Sequence, residues 1–296
     1  MIDSFQEKLA GELAGIESAD LRRTVREVAS AQGARVRLEG REVLNFSSND
    51  YLGLANHPAL KESAVQAIEN FGTGAGAARL ISGSQSPHHE LESVLANFKG
   101  TESALAFSSG YAAALGTIPA LVGIGDVVVL DKLVHASLVD AAKLSGAKLR
   151  VSKHNDLADL ARILEWAAEQ GGRTLMVAES VYSMDGDLAP LLNLVELKEQ
   201  HGAWLMLDEA HATGLYGEGR RGVAEEFDVV ARVEVQMGTL GKALGAAGGY
   251  ICGSNELVDL LRHRARSFVF STAPMPAQAA AARAGIKVLE SAEGED

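Results

Sequence analysis

Seven short apolar runs recur along the chain: SALAFSS, DVVVLD, KLRVSKH, TLMVAES, AWLMLDEA, VEVQMG and GGYICG. Most are separated by segments with apolar positions three and four apart, such as SLVDAAKLSG, LADLARILEWAAEQG and APLLNLVELKEQHG. A strand that is apolar on both faces must be covered on both faces. The alternation therefore predicts an α/β fold, a mostly parallel central sheet flanked by helices. In such sheets ligands sit beyond the carboxyl ends of the strands, so the residues after each run are the ones to inspect.

Upstream, Phe5 to Ala31 has apolar positions at helical spacing and reads as one or two helices, and RVRLEGREVLNF reads as a hairpin about Glu39-Gly40. Residues 1–45 thus form an N-terminal arm. ALKESAVQAIENFG and HHELESVLANFKG read as amphipathic helices ending at Gly72 and Gly100, with the glycine-rich loop GTGAGAARLISGSQS between them. Residues 46–285 make the main domain, and 286–296 open a further C-terminal one. NELVDLLRHRARSFVF and MPAQAAAARAGIKVLESAEGED read as helical up to the last residues.

Composition removes several function classes. A chain of 296 residues with 47% hydrophobic and 22% charged content can bury a full core. Its net charge of −12 disfavours nucleic acid, whose phosphates would repel it. The single cysteine, Cys252, cannot form an intrachain disulfide or a cysteine-built zinc site and suits a reducing compartment. The first residues lack a basic start followed by an apolar block, and no apolar run is long enough to span a membrane. The expected compartment is the cytoplasm. Adjacent His88, His89 and Glu90 diverge on a helix and find no third ligand, so no metal site is expected.

Chemistry concentrates after the strands. LMLDEAHATG delivers Asp208 at a strand tip, with Glu209 and His211 following. The same letters occur in helicase-type ATPases, which also require a phosphate loop ending in Gly-Lys-Ser/Thr. Around Gly241-Lys242 the required first glycine is Gln236 and the hydroxyl residue is Ala243, so that reading fails at both ends. Lys242 instead lies in MGTLGKALGAAGG, among small apolar residues with no carboxylate nearby in sequence. A poorly solvated lysine has a lowered pKa and a nucleophilic lone pair. A pyridoxal 5'-phosphate site needs such an amine, a carboxylate for the pyridinium nitrogen, phosphate donors and a group against the ring. Lys242 and Asp208 meet the first two needs. The Ser109-Gly110 turn, opening a helix after a strand, together with Thr239, can meet the third, and His135 the fourth.

FSSNDYLGL, GTGAGAARLISGSQSPHHELE, SSGYAAALG, LVHASLVDAAKLSGA, VAESVYSMDGDLAPL, LMLDEAHATGLYGEGRRG and MGTLGKALGAAGGY occur in this order over nearly the whole chain. Together they resemble the α-oxoamine synthases, fold-type-I pyridoxal-phosphate enzymes that condense an amino acid with an acyl thioester. NFSSNDYLGL stands where glycine C-acetyltransferases carry a Cys-Ala-Asn-Asn version, which favours members joining L-alanine to a pimeloyl thioester. The resemblance implies that Lys242 is the Schiff-base lysine, Asp208 the pyridinium partner, His135 the ring-stacking histidine and His211 the partner of the cofactor's phenolic oxygen. It further implies that Ser109, Gly110 and Tyr111 form the turn near the cofactor and that Ser183 and Thr239 make polar contacts. Arg22 and Asn49, with His135, would face the substrate. A homodimer with shared active sites is implied as well.

Members of the family continue past the equivalent of SAEGED into a small domain that supplies an arginine for the substrate carboxylate. A chain ending at Asp296 would retain the cofactor residues and lack those groups. Two readings of different kinds thus stay open: an α-oxoamine synthase, or a non-catalytic remnant that binds cofactor or pairs with a complete subunit.

Overall fold

The computed structural model describes residues 4–291, and the chain divides into two compact units at Phe46. In the first, helix α1 (Phe5–Ser18) starts from a capping box. Ser4 Oγ accepts the Glu7 N–H at 3.3 Å, and the Ser4 N–H donates to Glu7 Oε2 at 2.6 Å. Strands β1 (Arg35–Leu38) and β2 (Arg41–Leu44) pair antiparallel about Glu39 and Gly40, whose φ angles of 50° and 80° suit a tight two-residue turn.

Helix does not extend over the whole of 5–31. Asp20 turns to φ 55° just beyond the end of α1, and Val28 pairs with Leu38 as an isolated bridge. Thr24, Val25 and Val28 occupy this stretch, and β-branched side chains lose rotamer freedom in a helix that has no packed face to repay it.

The second unit opens with α2 (Pro58–Phe71) and α3 (Ser86–Lys99), each with proline in its first turn and glycine, Gly72 or Gly100, at its end. Then follow β3 (Ser103–Phe107), α4 (Gly110–Leu121), β4 (Val127–Asp131), α5 (Ala136–Ser145), β5 (Lys148–Ser152) and α6 (Leu157–Ala168). Next come β6 (Thr174–Glu179), α7 (Leu191–Gln200), β7 (Trp204–Asp208), α8 (Val223–Glu226), β8 (Val235–Thr239) and β9 (Gly249–Gly253). The described chain closes with α9 (Asn255–Arg264), α10 (Arg266–Val269) and α11 (Pro276–Leu289). Helix α11 runs unbroken through residue 286, and residues 292–296 lie outside the described residues.

The seven apolar runs form one seven-stranded sheet in the order β3-β9-β8-β7-β6-β4-β5. Only β9 is antiparallel to its neighbours, so the carboxyl ends of the other six strands share one edge. Alternate residues feed two cores. Leu105, Phe107 and Ile251 join the large cluster under α4, α5, α6 and α7, while Ala104, Ala106, Tyr250 and Cys252 pack with Leu91, Leu95 and Ile286 of α3 and α11. Both faces are covered, as continuous apolar strands require, except at the edge strand β5, where Lys148, Arg150 and Val151 are exposed. Among the described residues, no helix is long and apolar enough to cross a membrane.

Candidate active site

The shared strand edge carries the candidate residues. Asp208 ends β7, Thr239 ends β8, Glu179 ends β6, and β3 and β4 lead directly into the turns bearing Ser109 and His135. They surround an open cleft of about 140 Å³ lined by Gly110, Tyr111, His135, Glu179, Asp208, His211, Thr239 and Lys242, among others.

Lys242 sits in the connection between β8 and β9, folded back on itself by the Ala246 N–H donating to Leu240 O at 2.8 Å and the Gly245 N–H to Lys242 O at 2.9 Å. Its Nζ lies 2.7 Å from His211 Nε2. Burial lowers the lysine's affinity for a proton, and the charges of Asp208 and Glu179 only partly oppose it, so the net shift is downward. The absence of a carboxylate near Lys242 in sequence is therefore corrected in space: two carboxylates from neighbouring strands face it.

His211 links Lys242 to the edge of the cleft. Its Nδ1 lies 2.6 Å from Tyr51 Oη, and Tyr51 Oη is 3.4 Å from Asn49 Oδ1. Burial and the positive charges of Lys242 and His135 push the imidazole down to about 4, so it is neutral at pH 7. A neutral ring donates from one nitrogen and accepts at the other. With Lys242 as ammonium, protons point from Lys242 through His211 and Tyr51 toward Asn49.

Asp208 is buried, and its Oδ1 accepts the Ala210 N–H at 2.9 Å. Burial raises its pKa against the opposing effects of that hydrogen bond and of Lys242 and His135. Among the described residues it forms no close ion pair, and such a carboxylate would welcome a pyridinium nitrogen. Beside it in register, Glu179 is raised to about 7 by burial and then by the charge of Asp208.

Phosphate would meet the start of α4. Ser109 is the N-cap, its Oγ accepting the Ala112 N–H at 3.0 Å, and Gly110 and Tyr111 line the cleft with their first-turn N–H groups. A Cβ on Gly110 would stand 2.6 Å from Thr239 Cγ2, so only glycine brings that backbone so close to β8. Thr239 Oγ1 is buried without a hydrogen-bond partner. An orphaned buried hydroxyl in a cleft also lined by a helix start fits a phosphate oxygen, and the whole donor set fits pyridoxal 5'-phosphate.

The other predicted residues have partners of their own. His135 is the N-cap of α5, its Nδ1 2.8 Å from Ser137 Oγ. The Tyr111 hydroxyl donates to Asp140 Oδ2 at 2.6 Å. The Ser183 N–H donates to Glu179 Oε2 at 3.2 Å. Arg22 belongs to the N-terminal unit, where it pairs with Glu17 at 3.0 Å. Glu179 and Tyr51 are functional candidates without an assigned role in the motifs above. Glu179 was findable, since it ends TLMVAE as Asp208 ends WLMLD; Tyr51 lies inside NDYLGL, but nothing in that string points to His211.

Comparison with known proteins agrees with this geometry. Residues 41–295 match the family described as aminotransferase class I and II. An 8-amino-7-oxononanoate synthase from Geobacter sulfurreducens is 56% identical over 97% of this chain and 73% of its own length. One from Geotalea daltonii is 52% identical over 96% of this chain and 72% of its own length. Among solved structures, a serine palmitoyltransferase variant from S. paucimobilis with bound PLP and myriocin superposes with a TM-score of 0.92 at 30% identity, covering 98% of this chain and 74% of that one. With its sheet order, its cleft and these relatives taken together, the chain belongs to the aminotransferase class I and II family, within its α-oxoamine synthase branch.

Proposed function

We propose that the chain performs the decarboxylative condensation of L-alanine with a pimeloyl thioester, giving 8-amino-7-oxononanoate for biotin biosynthesis. It would work as a cytoplasmic homodimer with shared active sites. The reading is supported by the relatives' activity and, in the structure, by one observation above all: an amine of depressed pKa, Lys242, facing a buried carboxylate, Asp208, across a cleft that holds an orphaned hydroxyl, Thr239 Oγ1.

Bound pyridoxal 5'-phosphate supplies an electron sink for negative charge at the amino acid's Cα. Lys242 Nζ would hold the cofactor and, as a free amine, would take the α-proton of the bound amino acid. Its lowered pKa keeps that amine available. Asp208 holds the proton on the ring nitrogen, and His211, neutral, offers a hydrogen bond beside Lys242. His135, which lines the cleft, would lie against the ring and limit where the acyl group can approach. The new C–C bond forms at the thioester carbonyl, the thiol leaves, and loss of carbon dioxide precedes return of a proton to Cα. Arg22 and Asn49 are proposed to meet the substrate carboxylate or acyl chain.

The test is product analysis by mass spectrometry with L-alanine, glycine or L-serine as amino donor, and pimeloyl or acetyl thioesters of coenzyme A and of a carrier protein as acyl donor. The expected pair is L-alanine with a pimeloyl thioester. Preference for glycine with acetyl-CoA would replace this reading with a glycine C-acetyltransferase, and cofactor uptake without any product would favour a binding remnant.

A further inference from the structure

Two connections leave neighbouring strands beside the cleft: β4 to α5, which carries the cleft residue His135, and β6 to α7, which carries Ser183, bonded to the cleft residue Glu179. Both leave the sheet at the same edge, and their side-by-side strands give them no fixed spacing beyond the last ladder bond. Side chains join them on both sides. On the cleft side, Glu179 accepts the backbone N–H groups of both His135 and Ser183. On the outer side stands His154, which no cleft chemistry uses.

His154 bridges two carboxylates. Its Nδ1 lies 2.9 Å from Asp131 Oδ1, at the tip of β4, and its Nε2 lies 2.8 Å from Asp187 Oδ2, in the β6–α7 connection. An ionised carboxylate only accepts, so satisfying both contacts requires both ring nitrogens to donate, which is the imidazolium form. The surroundings hold that arrangement. The Asn155 N–H donates to Asp131 Oδ2 at 2.9 Å, and Asn155 Nδ2 to Asp187 Oδ2 at 2.9 Å. The Tyr182 ring meets the imidazole edge-on at 4.5 Å between centroids. Within the β6–α7 connection, the Tyr182 N–H donates to Asp187 O at 3.0 Å and the Gly186 N–H to Tyr182 O at 2.8 Å, so Asp187 and Ser183 move as one tight loop.

We propose that His154 is a positioning residue: as an imidazolium hydrogen-bonded at both nitrogens it clamps the β4–α5 connection to the β6–α7 connection, and so fixes His135 at the cleft and the Ser183 N–H on Glu179, which lines it. The groups facing the ring are Asp131 from β4 and Tyr182, Asp185 and Asp187 from the β6–α7 connection. Burial alone lowers the ring's proton affinity, but the hydrogen bonds and charges of Asp131 and Asp187 outweigh it and the net shift is upward. The clamp is thus complete below the ordinary histidine value and loses a bond as pH rises through the raised one. Its last step, toward cofactor, rests on the proposed function; the clamp itself does not.

Nitrogen-detected NMR on histidine-labelled protein reads the ring directly, with His154→Gln identifying the signals. At pH 7.5 an ordinary histidine is roughly 90% neutral, whereas His154 should remain protonated at both nitrogens. A neutral His154 at that pH overturns the proposal. Hydrogen exchange by mass spectrometry adds a second readout. His154→Gln should speed exchange about tenfold or more in peptides covering 131–137 and 182–189, the scale expected for a lost charged hydrogen bond, with peptides of β7 and β8 unchanged. A uniform increase, or none, overturns the clamp. Equilibrium cofactor titration of the same variant should show about tenfold weaker uptake by the same reasoning; unchanged affinity with loosened loops removes the positioning role. Wild-type protein that takes up no cofactor would instead sink the proposed function, while the ring state and exchange would still decide the clamp.

Discussion

Lys99→Met should cost this protein more stability than any single change of a surface charge. Lys99 projects from the end of α3 onto Glu209, the residue after Asp208; its side chain is 1% exposed and that of Glu209 is 0% exposed. Nζ lies 2.5 Å from Glu209 Oε2 and also donates to the backbone oxygen of Arg221. Burial alone would lower the lysine's pKa, yet the Glu209 carboxylate overrides it and the ammonium is held well above its ordinary range. Glu209 is further tied to the Ala224 N–H at 2.9 Å. Removing the lysine leaves a dry carboxylate with one neutral donor, a change worth about 3–5 kcal/mol. Replacing both partners, as Lys99→Met with Glu209→Leu, removes the unpaired charge and should recover most of that loss, less about 1 kcal/mol for the orphaned Ala224 N–H. Reversible urea unfolding of cofactor-free protein, followed by circular dichroism, measures all three. A single-variant loss below about 1 kcal/mol, or a double variant as unstable as the single, would refute the picture of a desolvated pair.

Further outcomes follow from the cleft. Lys242→Ala should abolish the cofactor mass that borohydride fixes to the peptide containing residue 242; retention of that mass on the variant would reassign the anchoring amine. Thr239→Val removes a buried hydroxyl without a partner, so cofactor-free protein should gain up to about 1 kcal/mol while cofactor uptake weakens about tenfold; calorimetry and titration check the two signs separately. Gly110→Ala drives a Cβ to 2.6 Å from Thr239 Cγ2 and should cost about 1–3 kcal/mol, read as a shift in urea midpoint. Glu179 has a folded value of about 7 against an ordinary 4.5, so the folded state binds the extra proton. Its contribution to cofactor-free stability is present below pH 4.5 and is lost as pH rises to 7. Glu179→Gln should flatten that window of the stability profile, and an unchanged slope would remove Glu179 as its source.

The sheet and most of its helices are legible in the sequence because their signals are local. Runs such as DVVVLD and TLMVAES need no partner to be recognised, and Gly72 and Gly100 mark where helices stop. The arm after Ser18 is not legible, since apolar residues at helical spacing do not reveal that Asp20 leaves the helical region or that Val28 prefers a bridge to Leu38. The cleft divides the same way. Lys242, Asp208 and Thr239 announce themselves by position after a strand. The contacts that tune them do not: Tyr51 and His211 are distant in sequence, and the pairing of Glu179 with Asp208 depends on which strands the sheet sets side by side.

The antiparallel strand β9 has a consequence for how the protein is made. It returns from the Lys242 connection and pairs on one side with β8 and on the other with β3, the strand that leads to Ser109 and Gly110. Phe107 and Thr239 therefore flank Gly249 across the sheet, although the chain between β3 and β9 contains most of the second unit. Closing so long a loop is slow and comes late in assembly. Strand β3, which leads to the Ser109-Gly110 turn, is thus joined in the sheet to β8 and Thr239 only through β9.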